Sequence, residues 1–578
     1  NLALSADTLG GRSVAIGASA LAAQNFTTST NVYNVAVGFT AGTAVTTGES
    51  NTLIGGLAGD ALTNSDYNVA VGAYSLTSDT LGSRNVAVGT FSLRNQNSTT
   101  ATNTLNVAVG YSSGENITTG IQNTLVGAQA GDALTDADFN VAIGTDALAA
   151  DSLGSRSIAI GRRALHAQNF TTATDTYNVA VGFEAGNDIT TGLYNTIVGG
   201  LAGDILTTGG SNVVVGVDAL GADTQGSRAV AVGMNALLRQ NFTTATNGYN
   251  VAVGYSAGDH ITTGIHNVLL GGLAGDALTD ADHNIAIGVS ALGVDTLGSK
   301  SVAIGKATLE NQNFTTATDA YNVAVGYEAG NDVTTGEQNV FIGGLAGDGT
   351  TTSSSNVAVG YAALSGASGG INTAVGSLAL FEATGSDNTA LGFAAGFQVT
   401  SGTNNMLLGH DAGRTGSPGG ACTTGTNRIA LGDENVDNAH IQVSFVAASD
   451  ERDKTDFVDL DLGLDFVKAL EPVTYYWDKR SKYGDKYADD YDLNAQVPDG
   501  THKEDWLDIG FKAQSVQALE EAAGYKVADK KNLTVTLSED GKQYGLKYER
   551  FIPILVKAIQ DQDAIITSLT ARVAALES

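Results

Sequence analysis

The 578-residue sequence predicts an all-β protein: a parallel β-roll or β-solenoid of about 24 coils, followed by a small α+β domain ending in a coiled-coil helix. Three observations lead there. A pentad, Asn68-Val69-Ala70-Val71-Gly72, recurs along the first three quarters of the chain. From Ser13 the pentads start at 13, 34, 51, 68 and 85, and these gaps of 21, 17, 17 and 17 repeat as a unit of 72 through Ser301. After Ala448 glycine falls, lysine and aspartate rise, and aromatic residues appear.

Repetition has to be read first, because it sets the architecture. Alternate residues of a strand face opposite sides, so Val69 and Val71 share one face and Ala70 lies on the other. β-branched valine suits a strand packed on one side. The glycine that follows permits a positive φ and a sharp corner. A strand and corner every 17 residues is too short for a βαβ unit and fits one solenoid coil. Stacked at the inter-strand spacing, the coils make a rod roughly 110 Å long. The leading Asn either stacks into a hydrogen-bonded ladder or only starts a turn. A face of small residues lets another backbone approach closely. So thin a coil also exposes apolar edges, which association of several chains would bury.

Each 72-residue unit carries one long gap with an inserted loop: Gln24-Asn25-Phe26-Thr27-Thr28, and again at Phe170, Phe242 and Phe314, with Ser98 in the second unit. The phenylalanine is expected to seal a coil edge or a subunit seam; contact with a glycan or protein is the alternative. Asp60, Asp132, Asp204, Asp276 and Asp348 each follow Ala-Gly, 72 residues apart, and read as turn-capping residues. Beyond Asn356 the gaps shorten to 16 and the large unit dissolves. Repeats fill residues 1–432, and 433–448 is expected to hold a short β segment and a linker. The chain opens inside a repeat, so an attachment region is expected on its N-terminal side.

Composition narrows the function. With 73 Gly and 4 Pro, the glycine serves repeated corners rather than collagen or a disordered linker. A net charge of −31 argues against nucleic acid as a partner. No run reaches the ~20 apolar residues of a membrane helix, so no membrane insertion is expected. Cys422 is alone, which excludes an intrachain disulfide, and it reads as a buried thiol. The seven histidines show no ligand spacing; His260 and His266 read as surface loop residues, and no metal or cofactor is expected.

The NVAVG and SVAIG pentads resemble the head repeats of trimeric autotransporter adhesins. That resemblance implies a left-handed parallel β-roll trimer, here with longer coils than is usual for the family. A bacterial surface adhesin is therefore one reading, although such a chain would end in a membrane β-barrel of alternating strands.

The last 130 residues read differently. Leu460 to Leu470 has helical apolar spacing ending before Pro472, and Val473-Thr474-Tyr475-Tyr476-Trp477 reads as a strand. Gly510-Phe511-Lys512-Ala513-Gln514 opens a second helix. Ile559, Ile566 and Val573 lie seven apart, as do Gln562, Leu569 and Leu576, a seam over 552–577 that needs partner helices. Ile at a with Leu at d leans towards two strands.

Together with Ser449-Asp450-Glu451-Arg452-Asp453-Lys454, Leu470-Glu471-Pro472-Val473 and Tyr544-Gly545-Leu546-Lys547-Tyr548, these pieces resemble the intramolecular chaperone autoprocessing domain at the end of phage endosialidases, tail fibres and spikes. The resemblance runs over residues 449–578 and implies three strands rather than two. It also implies a catalytic dyad of Ser449 and Lys454 that cuts the chain once. A serine hydroxyl needs a base, and lysine serves only when desolvation or nearby positive charge lowers its pKa; Arg452 is placed to help, against Asp450 and Asp453. The cut falls at Ala448–Ser449 or, by a route through Asp450, at Ser449–Asp450. The implied protein is a homotrimeric phage fibre, of tail or capsid, made in the host cytoplasm. It would be carried on the virion and contact virion proteins and a host receptor, glycan or protein. A polysaccharide-depolymerising tailspike is the other reading, and it would need a catalytic carboxylate cluster.

Overall fold

The computed structural model describes residues 2–443, 446–488 and 490–578. The chain divides into two compact units, Asn1–Glu337 and Gln338–Ser578. Both are built on the pentad. In the first unit every pentad forms a three-residue strand, from Val14–Ile16 to Val323–Val325, and each pairs in parallel with its neighbours in register. Val69 faces Val86, Ala70 faces Ala87, and Val71 faces Val88. In the second unit six such strands, Val340–Ile342 to Ile429–Leu431, pair in the same way. This is the parallel β-solenoid expected from the repeats.

The inward residue of each strand is its middle one, most often alanine and elsewhere a larger apolar residue such as Leu53, Ile197 or Phe341. Ala70, Ala87 and Ala108 are fully buried, whereas the flanking valines are only partly covered. The close approach made possible by the small face therefore occurs within one chain, across the thin coil. The valines point outward and leave an apolar stripe.

Asn builds the ladder. Asn68 Oδ1 accepts from the Asn85 amide at 3.0 Å, and Asn51 Oδ1 accepts from the Asn68 amide at 3.0 Å. The Asn68 side-chain amide donates to the Gly82 carbonyl at 3.0 Å, tying the strand to the far side of its own coil. Buried amides must be satisfied or cost free energy, and here the Asn51 and Asn68 side chains satisfy the Asn68 and Asn85 backbone amides. The corner glycine is equally constrained: Gly72 has φ +139°, and an added Cβ would lie 2.5 Å from the Gly89 carbonyl carbon.

Each coil also holds non-glycine residues at positive φ, among them Tyr67 (58°) and Leu76 (51°). Such strain persists only where surroundings enforce it. The Tyr67 amide donates to the Glu49 carbonyl at 3.0 Å and that of Leu76 to Ser92 at 3.0 Å, so neighbouring coils hold both.

The inserted loops add a second parallel pairing, as in Gly82–Ser83 with Thr102–Asn103. Phe26, Phe170, Phe242 and Phe314 are buried there, which is the edge-sealing role rather than a contact surface.

In the second unit the last coil leads into 433–448. No strand forms among the described residues of that segment, contrary to the short β segment expected there; positions 444 and 445 lie outside the described residues. Beyond it come α1 (Leu464–Ala469), α2 (Ala513–Ala522) and α3 (Phe551–Glu577), with antiparallel pairs Val473–Tyr475/Asp508–Gly510 and Val535–Leu537/Tyr544–Leu546. Leu462, Phe466, Val516, Val535, Phe551 and Ile554 form the core. Among the described residues no helix is long and apolar enough to cross a membrane.

Candidate functional site

Ser449 lies within an exposed stretch and begins a tight turn. Asp450 has extended backbone and caps the 3-10 turn Glu451–Asp453, its carboxylate accepting from the Arg452 amide at 2.9 Å. Asp favours such a cap because its short side chain reaches the free amides of a first turn. The Lys454 amide closes the turn on the Glu451 carbonyl at 3.1 Å. Reversal of the chain brings the Lys454 side chain back over Ser449. Its Nζ lies 2.6 Å from Ser449 Oγ and 3.2 Å from the Ser449 carbonyl oxygen.

Arg452 turns the other way. Its guanidinium forks onto Asp450, with Nη2 2.6 Å from Oδ2 and Nε 3.0 Å from Oδ1. Those bonds hold the Asp450 carboxyl below its ordinary value. Arg452 therefore neutralises Asp450 instead of assisting Lys454, as the sequence had suggested. Ser449 and Lys454 are both exposed, so the expected dyad chemistry would require solvent to be removed from the turn.

Ser449 Oγ would reach the Ala448 carbonyl through a five-membered ring, and the Asp450 carboxylate would reach the Ser449 carbonyl through a six-membered one, so ring size allows both cuts.

Other residues marked by the repeat fall elsewhere. Asp60 accepts from the Thr77 hydroxyl of the next coil. Asp132 has its pKa pushed up to about 6, first by burial, with Asp146 and Glu115 adding repulsion. The turn-closing aspartates are instead Asp79, Asp151, Asp223 and Asp295, each fully buried. Asp79 accepts from the Gly82 amide at 3.0 Å, the Ser98 amide at 3.0 Å and Gln96 Nε2 at 2.6 Å. The signal was the Asp-Thr-Leu-Gly recurrence at 7 and 79, where a buried carboxylate was not anticipated. His266 stacks between Tyr249 and His283 on the surface. Cys422 is buried, which pushes its thiol pKa up. His410, Asp411 and Asp433 bring ligand-type atoms within 4.8 Å of one another. The Lys486 ammonium lies 2.9 Å from Asp411 in that cluster.

No curated protein matches the chain. Residues 449–525, which begin at the dyad serine and run through α1 and α2, match the Peptidase S74 family model, described as chaperone of endosialidase.

Proposed function

We propose that this chain is the shaft of a homotrimeric phage fibre, most simply a tail fibre, that contacts the host surface, and that residues 449–578 align three chains and then cut themselves off. The observation carrying this is the succession in one chain. A parallel solenoid ends, and a segment matching the endosialidase chaperone model begins at a serine whose hydroxyl is 2.6 Å from Lys454 Nζ. Two unpartnered apolar faces favour a trimer. One is the outward valine stripe; the other is the seam of α3, where Ile559, Ile566, Leu569 and Val573 are all exposed. A seam of that kind buries itself only against other helices.

Coils stack within one chain, but side-by-side packing of three such shafts needs the chains aligned, and assembly of that kind is slow and prone to error. A clamp at one end solves the alignment, and cutting the backbone there makes assembly kinetically irreversible. In the cut, Ser449 Oγ attacks the Ala448 carbonyl while neutral Lys454 takes the hydroxyl proton and delivers it to the Ser449 nitrogen as the C–N bond breaks. Water then hydrolyses the ester, leaving a carboxylate at Ala448 and a free amine at Ser449. Packing of the partner chains against the exposed turn supplies the desolvation.

Expression of wild type beside Ser449→Ala tests this. Wild type should yield a shaft shortened by residues 449–578 with Ala448 as its last residue by mass spectrometry, and the variant should stay whole. Identical, uncut products would remove the self-cleavage from the proposal. Failure of the purified shaft to bind any bacterial surface would remove the adhesion.

A further inference from the structure

Three carboxylates at the end of the second unit's solenoid are buried: Asp411 is 1% exposed, Asp433 5% and Glu434 6%. Burying such charges without partners is prohibitive. Their partner comes from far along the chain. Lys486 Nζ lies 2.9 Å from Asp411 Oδ2, 2.7 Å from Glu434 Oε1 and 3.8 Å from Asp433 Oδ2. Tyr487 donates its hydroxyl to Asp411 Oδ2 at 2.8 Å. The Arg414 guanidinium sits between the Phe397 and Tyr487 rings, 4.5 and 4.6 Å from their centroids. Lys479 Nζ donates to the Glu434 carbonyl at 2.9 Å.

A second clamp lies on the glycine-rich stretch 414–426. Glu539 accepts from the Thr424 amide at 3.0 Å and the Gly425 amide at 2.9 Å, and faces Arg428 at 3.4 Å. Contact there is close. A Cβ on Gly416 would lie 2.8 Å from Ser481 Cβ, and one on Gly420 would lie 2.5 Å from Ser538 Cβ. By contrast, the described residues from Asn435 to Ala448 are exposed.

We infer that the end of the shaft is a docking surface for its own severed C-terminal fragment, which stays bound after the backbone is cut, through Lys486 in the Asp411–Asp433–Glu434 pocket and Glu539 on the 424–425 amides. This rests on the proposed cleavage for the moment at which the fragment becomes separate; the docking itself does not need it.

The grip depends on pH in a defined way. Burial opposes the Lys486 ammonium, yet its bonds to Glu434 and Asp411 outweigh that and hold its pKa above the ordinary value. Burial likewise opposes ionised Asp433, and bonds from Asn435 with the charges of Lys486 and His410 hold its pKa below the ordinary value. Also facing the pocket are Arg414, Lys479, Tyr487, Tyr491 and half-exposed His410, whose Nδ1 is 3.4 Å from both aspartates. A lowered carboxylate contributes docking above its free value and loses it as pH falls through the bound value. A raised lysine does the reverse at the alkaline end. Retention should therefore hold across neutral pH and weaken only as pH falls below the ordinary carboxylate range.

The test uses the full chain carrying Ser449→Ala, with a site for a sequence-specific protease inserted at Asn438–His440. After cutting, gel filtration at neutral pH should show the fragment eluting with the shaft. Lys486→Met should weaken retention ~100-fold or more, as loss of one partner of a buried pair does. Glu539→Gln gives an independent reading at the other clamp, and each uncut variant eluting as wild type shows that it folds. Free fragment from the parent protein at neutral pH, or retention indifferent to both substitutions, would overturn the inference. Failure of wild type to cut itself would leave this experiment intact and count only against the cleavage.

Discussion

The repeat coils and the region after Ser449 satisfy themselves in opposite ways. In the coils, the inward asparagines bond from one coil to the next, as the Asn34–Asn51–Asn68–Asn85 chain shows. Order is thus borrowed from the next repeat along the sequence. The C-terminal region has a small core and a 27-residue helix whose apolar seam is exposed. Under the proposed trimer the contrast is a division of labour: coils extend a shaft, and the terminal region counts chains and sets their register.

The largest effect should come from the seam. Ile559→Asp with Ile566→Asp is expected to abolish soluble trimer, read by sedimentation of the expressed protein; abundant trimer would mean the coils assemble unaided, and the contrast would collapse. Next comes the valine stripe. Val107→Asp places a charge on the outward face and should give trimers that dissociate once the C-terminal region is removed, whereas unchanged trimers would mean the stripe is not a subunit seam. Asn123→Ala sharpens the comparison inside a coil. It strands the Asn140 amide and the Ala137 carbonyl, each costing about 1–3 kcal/mol. Hydrogen exchange should speed up in the flanking coils and stay unchanged in residues 449–578. Smallest is Asp132→Asn. A carboxyl raised to about 6 in the folded chain lowers stability as pH climbs from the ordinary carboxylate range through that value, and the loss is flat above it. The group is half exposed, so relief by Asn is at most about 1 kcal/mol near pH 7 and absent near pH 4; exchange at Ala133 measures it.

Much of this was legible in the sequence. The pentad register placed each strand, and heptad spacing placed α3. What alternation could not say was which face of Val-Ala-Val points inward, because both faces are apolar and only the width of the coil decides. Buried Asp79 and its repeats escaped because an aspartate near a glycine reads as an exposed turn. The Ser449–Lys454 pair was visible only through the resemblance to the chaperone domain; in the structure the four residues between them make one turn that brings the side chains together. Lys486 and Asp411 were not, because nothing local joins positions so far apart in sequence. Left-handed residues such as Leu76 carry no sequence signal, since the neighbouring coil imposes them.

Sedimentation equilibrium of the intact Ser449→Ala chain tests the central claim most directly. A mass three times the 58.7 kDa of one chain is the expected result. A single-chain mass in soluble, folded protein would contradict it.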